Sequence, residues 1–181
     1  MPQPTTWPEL QERARLALRC GLSPERRRGW QVTRVLQFVR LPSFEGSTSY
    51  GMYRCRSEDR VEFHGTRLHW QFEIDCAKFG DPVERLRHAS VLEPTLEQRC
   101  AELPFEPASA LVADLEAVAI PVVARSPSFG LDGTGFELAF GELRNAVKID
   151  WWMQPPENWR EACSLGERLA AMVDGVVGAR W

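Results

Sequence analysis

Two short runs near the C-terminal end, Phe136-Glu137-Leu138-Ala139-Phe140 and Val147-Lys148-Ile149-Asp150-Trp151, alternate apolar and more polar residues. A period of two marks a strand with one buried face, because successive side chains point to opposite sides of the sheet. The connection Gly141 to Asn145 predicts that the two runs pair as an antiparallel hairpin. Trp151 continues the apolar series of Val147 and Ile149 and is expected to point inward. Trp152 follows Lys148 and Asp150 onto the other face, where a helix covers it or it stays partly exposed. Pro155-Pro156 stops the strand and prepares a helix start. The period then changes: Trp159, Ala162, Cys163, Gly166, Leu169, Ala170 and Val173 share one helical face. A hairpin feeding an amphipathic helix calls for a sheet with a helix packed against it.

The other end of the chain also marks its own boundaries. Thr6-Trp7-Pro8-Glu9 forms a capping box, Leu10, Ala14, Ala17 and Leu18 follow on one face, and Gly21 offers a stop. Strands are expected at Trp30 to Val39 and Tyr50 to Arg56, which are rich in β-branched and aromatic residues. Residues 60–64 and 67–76 alternate in the same way, and Gly65-Thr66 between them suits a two-residue hairpin turn. That register sets Phe63 opposite Leu68, His64 opposite Arg67 and Glu62 opposite His69. Helical segments are expected from Asp81, over Pro94 to Glu102, and over Pro107 to Val118, where Leu111, Leu115 and Val118 form a stripe. Pro121 to Ser128 reads as extended, and Asp132-Gly133-Thr134-Gly135 as a tight turn entering a strand.

The expected architecture is therefore a single α+β domain over 1–181: an antiparallel sheet built from hairpins, with helices packed on one face and a C-terminal helix. Its parts are an N-terminal helix and connection (1–28), a first strand group (29–78), a helical segment (81–119), a second hairpin (131–152) and the C-terminal helix (156–175). With 44% hydrophobic and 26% charged residues, the composition is that of an ordinary globular chain.

Several function classes lose support. The net charge of −3 provides no basic field, so nucleic acid is not an expected partner. Lys78 and Lys148 are the only lysines among 22 basic residues, and arginine suits carboxylate recognition, although codon bias explains the same excess. No apolar window suits a membrane span, and the N-terminus lacks the basic-then-apolar pattern of a secretory signal. Cysteines 20, 55, 76, 100 and 163 are odd in number and lack CxxC spacing, which predicts reduced thiols and a cytoplasmic setting. The motifs GxSxG, GxxxxGK[ST], GxGxxG and HExxH are absent, so no catalytic residue and no cofactor is expected.

The polar face of the first predicted hairpin is the main candidate surface. Glu62, His69, Gln71, Glu73 and Asp75 share it, and Trp152 adds an aromatic anchor elsewhere. A partner-binding surface and a plain solvated face both account for this mixture. Alternatively His64, His69 and Glu62 would hold a metal for hydrolysis or small-molecule binding. A third reading is a structural component of a larger assembly, with self-association.

The residues Asp132-Gly133-Thr134, Phe136-Glu137-Leu138, Trp151-Trp152, Pro155-Pro156 and Trp159 carry a resemblance. The pattern DGT-x-[YF]-E-L … WW-x-x-x-P … W resembles the C-terminal part of small uncharacterised bacterial proteins, some of them similar to immunity proteins of bacterial toxin systems. The resemblance spans only the chain from residue 132 onward, and Phe136 stands where the pattern often has tyrosine. It implies a cytosolic bacterial α+β protein and supplies no catalytic residues. The expected function is thus non-catalytic binding of a protein partner, in an immunity- or inhibitor-like role toward a toxin or effector.

Overall fold

The computed structural model describes residues 6–25, 28–81, 83, 93–121, 132–141 and 146–178. Helix α1 (Trp7–Cys20) starts where the capping box predicts, with Glu9 and Thr6 exchanging backbone–side-chain hydrogen bonds, and Gly21 ends it at φ 64°. Strands β1 (Gln31–Pro42), β2 (Thr48–Arg56) and β3 (Val61–Trp70) follow, then helix α2 (Phe72–Gly80). Strand β4 (Leu96–Leu103), helix α3 (Phe105–Ala117), strands β5 (Thr134–Phe140) and β6 (Val147–Trp152), a 3-10 turn at Glu157–Trp159 and helix α4 (Arg160–Gly178) complete the described elements. The strands form one antiparallel sheet in the order β4-β3-β2-β1-β5-β6. The α+β architecture with its C-terminal helix is the expected one.

The second hairpin pairs as its alternation predicts. Phe136 faces Trp151, Leu138 faces Ile149 and Phe140 faces Val147. The rings of Phe38, Phe136 and Trp151 stack, with centroids 5.4–6.2 Å apart. Helix α4 approaches this stack through Gly166, where an added Cβ would come within 2.6 Å of the Phe38 ring. The Trp159 ring packs against the same core and donates Nε1–H to the Pro121 carbonyl at 3.2 Å. Each large ring buried here is worth about 2–3 kcal/mol of apolar transfer.

The first hairpin is a correction. Gly65 and Thr66 lie in the middle of β3, with β2 on one side and β4 on the other. The true turn is Ser57–Arg60, where the Ser57 N–H donates to the Arg60 carbonyl at 2.8 Å. Gly65 is small because of crowding: an added Cβ would lie 2.8 Å from side-chain carbons of both Leu103 and Val173. Phe72, Ile74 and Cys76, read as a continuing strand, lie instead on α2. A second correction concerns Pro94 to Glu102, read as helix. Leu96–Leu103 is a strand that satisfies the free edge of β3, despite its helix-favouring residues.

The helices do not all share one face. Helices α3 and α4 cover the face bearing Leu36, Phe38, Tyr50, Met52, Phe63 and Leu138. Helix α1 packs on the opposite face through Ala14 and Leu18, against Val39, Leu68 and Trp70. Arg19 of α1 holds Glu137 of β5 with contacts of 2.6–3.1 Å, and Lys148 adds one at 2.9 Å. Burial pushes the Glu137 carboxyl upward, but the hydrogen bonds from Arg19 and Lys148 outweigh it and leave its pKa below the usual range. The expected helix start at Asp81 lies mostly outside the described residues, as do residues 122–128 of the extended stretch.

Candidate functional site

The residues singled out from sequence do not form one surface. Glu62 and His64 sit on β3 facing α1's side of the sheet. Glu62 is buried, with Arg60 Nε at 2.8 Å and His64 Nε2 at 3.2 Å. His69 is seven positions further along the same strand, so it points to the opposite face. Its Nδ1 lies 2.9 Å from the Thr48 hydroxyl. Burial and then the Arg67 charge hold the His69 imidazole below its ordinary pKa, with Glu97 opposing. The metal set of His64, His69 and Glu62 is therefore not assembled. Among the described residues no group of three or more His, Cys, Asp or Glu side chains is placed to hold a metal ion.

The remaining candidates separate as well. Gln71 donates to Glu97 at 2.8 Å, and Glu73 is exposed on α2. Asp75 is wholly buried: it accepts from Trp70 Nε1 at 2.8 Å, from the Thr95 N–H at 2.7 Å and from the Thr95 hydroxyl. Lys78 lies 3.6 Å away. These contacts fasten α2 to the start of β4 and leave Asp75 nothing to present to a partner. Trp152 is half-buried beside Gly133 and Gly135, remote from the others along the sheet.

A further polar cluster ties α4 to the sheet. The Tyr50 hydroxyl donates to Asp174 at 3.0 Å, and Arg67 Nη1 lies 3.5 Å from the same carboxylate. Burial, followed by the Asp174 charge, pushes the Tyr50 hydroxyl up to about 12. At neutral pH this phenol is a donor holding a helix in place.

The arrangement best suited to a ligand lies where α3 crosses the end of the sheet. A cavity of about 640 Å³ is bounded by β1, β2, β3, the Ser57–Arg60 turn and α3. A second cavity of about 320 Å³ shares Thr33, Arg54 and Val112 with it and continues toward Phe140 and Gly141. Volumes of this size suit small ligands or short segments of chain.

The sheet register orders the lining into columns. Arg54 and Arg56 stand two positions apart on β2, about 7 Å by strand geometry. On one side their partners are Thr33 and Gln31 of β1; on the other they are Phe63 and Val61 of β3. A cationic column thus runs between a polar and an apolar one, roofed by Ser109 and Val112 of α3. Among the described residues neither the Arg54 nor the Arg56 side chain makes an ion pair or hydrogen bond, whereas neighbouring Arg60 is held by Glu62 and Glu102. Two like charges side by side on one strand repel each other. An anion seated between them would relieve this.

Sequence reasoning missed this site, although a signal was present. In TSYGMYRCR the series Tyr50 and Met52, buried against the core, continues on the same face as Arg54 and Arg56. A buried face that turns cationic marks where the covering helix departs. Compared with protein-family models, with curated proteins and with solved structures, the chain matches none. Among the described residues no helix is long and apolar enough to cross a membrane.

Proposed function

We propose that the protein is a non-catalytic binding protein that engages a protein partner through the groove between α3 and the β1–β2–β3 end of the sheet. The observation that carries this reading is the Arg54–Arg56 column, its side chains unpaired among the described residues, beside the apolar Phe63 and Val61. Interfaces favour arginine and apolar anchors together, and a guanidinium lacking an internal carboxylate is available to an external one. An immunity- or inhibitor-like role toward a toxin or effector in the cytoplasm is the specific form suggested by the C-terminal pattern. The groove supplies charged and apolar binding groups for it.

A photo-cross-linking residue placed at Ser109 tests the reading in cells that naturally make the protein. It is expected to yield one dominant protein adduct that disappears in the Arg54→Glu/Arg56→Glu variant. A linker at exposed Glu12 on α1 should give no such adduct. Adducts unchanged by the charge reversal, or equal at both positions, would overturn the assignment.

A further inference from the structure

We infer that the groove recognises a short extended segment bearing carboxylates at its centre and apolar residues beside them; this rests on the protein-binding reading above. The length follows from the architecture. The lining runs from β3 through β2 and β1 to β5, three steps of about 4.8 Å, or roughly 14 Å. Helix α3 crosses the same distance: Phe105 meets the Phe63 ring at 5.7 Å, and Glu116 lines the far end beside Phe140. Eleven residues of helix rise about 16 Å, in agreement with the sheet. An extended chain covers that length with about four residues.

The charge pattern selects the chemistry. Arg54 and Arg56 share the lining with three carboxylates, Glu58 and Asp59 on the turn beyond Arg56 and Glu116 on α3; Arg60 and Arg34 also border it, but Arg60 is held by Glu62 and Arg34 by Gln37. A uniformly charged polyanion, such as a nucleic acid strand, would meet Glu58, Asp59 and Glu116 as well as the arginines, and the whole chain carries −3. A segment with negative charge confined to its centre meets Arg54 and Arg56 and sets no further charge against those carboxylates. Two carboxylates on neighbouring residues fall within reach of two guanidinium groups about 7 Å apart at their Cα atoms. Apolar side chains flanking them have Phe63 and Val112, or Val35 and Leu115, to cover.

Titration of the isotopically labelled full chain with N-acetyl-Leu-Glu-Glu-Leu-amide, followed by amide chemical shifts, tests this. The expected result is saturable shifts at Thr33, Arg54, Arg56, Ser109 and Val112. Affinity should fall roughly tenfold or more for the Leu-Gln-Gln-Leu peptide and for the Arg54→Gln/Arg56→Gln protein. Ser109→Trp, which fills the groove from the helix side, should block binding and leave both arginines in place. Absence of these shifts at millimolar peptide, equal binding of the glutamine peptide, or tighter binding of pyrophosphate or an oligothymidylate at the same amides would each overturn the carboxylate assignment. If the Ser109 cross-link persists while peptide binding fails, the partner site stands and only its chemistry is wrong.

Discussion

The chain has two tyrosines, Tyr50 and Tyr53, and burial raises the pKa of both hydroxyls. For Tyr50 the value reaches about 12 against an ordinary 10. A phenol whose pKa is raised on folding contributes stability below the unfolded pKa and loses it as pH rises through the folded one. Absorbance titration at 295 nm should therefore show no ionisation step near pH 10 in the native protein, and stability should decline from there toward pH 12. A full step at pH 10 with the fold intact would show that neither hydroxyl is buried as described. The same scale shows what periodicity can read. Trp151 was legible as an inward residue because its neighbours alternate, and its side chain is 7% exposed. Gly65 was misread because glycine serves both turns and close approaches, and only Val173, over one hundred positions later, distinguishes them.

At the scale of elements, α1, α3, α4 and the β5–β6 hairpin were legible since each carries its own period and end signals. The junction of α2 and β4 was not. It depends on Asp75, which reaches twenty positions ahead to Thr95 while also accepting from Trp70. Asp75→Ala would leave the Trp70 and Thr95 N–H donors unpaired in a buried setting, at a cost of about 2–4 kcal/mol. Chemical denaturation should show that loss, and hydrogen exchange should rise first in α2 and at the start of β4. A loss below about 0.5 kcal/mol would mean that α2 is held by its apolar contacts alone. Helix-favouring residues in β4 then explain the misreading of Pro94 to Glu102: local propensity is outweighed by the demand of β3 for a pairing partner.

At the scale of the molecule, the sheet has distinct faces with distinct work. One face carries the large core under α3 and α4; the other carries α1 and the Arg19–Glu137–Lys148 cluster. The groove opens where α3 crosses the sheet end, and among the described residues the Arg54 and Arg56 side chains have no ion-pair partner. Arg54→Gln/Arg56→Gln should consequently leave the fold intact and alter stability by no more than about 1 kcal/mol, toward gain if relief of like-charge repulsion dominates. Thermal unfolding of the double variant beside the parent measures this. A loss above about 2 kcal/mol would assign the pair to scaffold and remove the basis for a binding site.

The strand and helix periods, the capped ends of α1, the pairing of β5 with β6 and the inward turn of Trp151 are all written in local sequence. These depend on neighbours a few positions away, where side-chain direction and backbone propensity act directly. Tertiary structure alone decided that Glu62 and His69 lie on opposite faces, that Asp75 is a buried fastening, that residues 96–103 form an edge strand and that Arg54 and Arg56 line a groove. Each of those depends on which distant strand or helix comes to lie alongside, and that is settled by satisfying backbone hydrogen bonds and burying apolar surface across the whole chain.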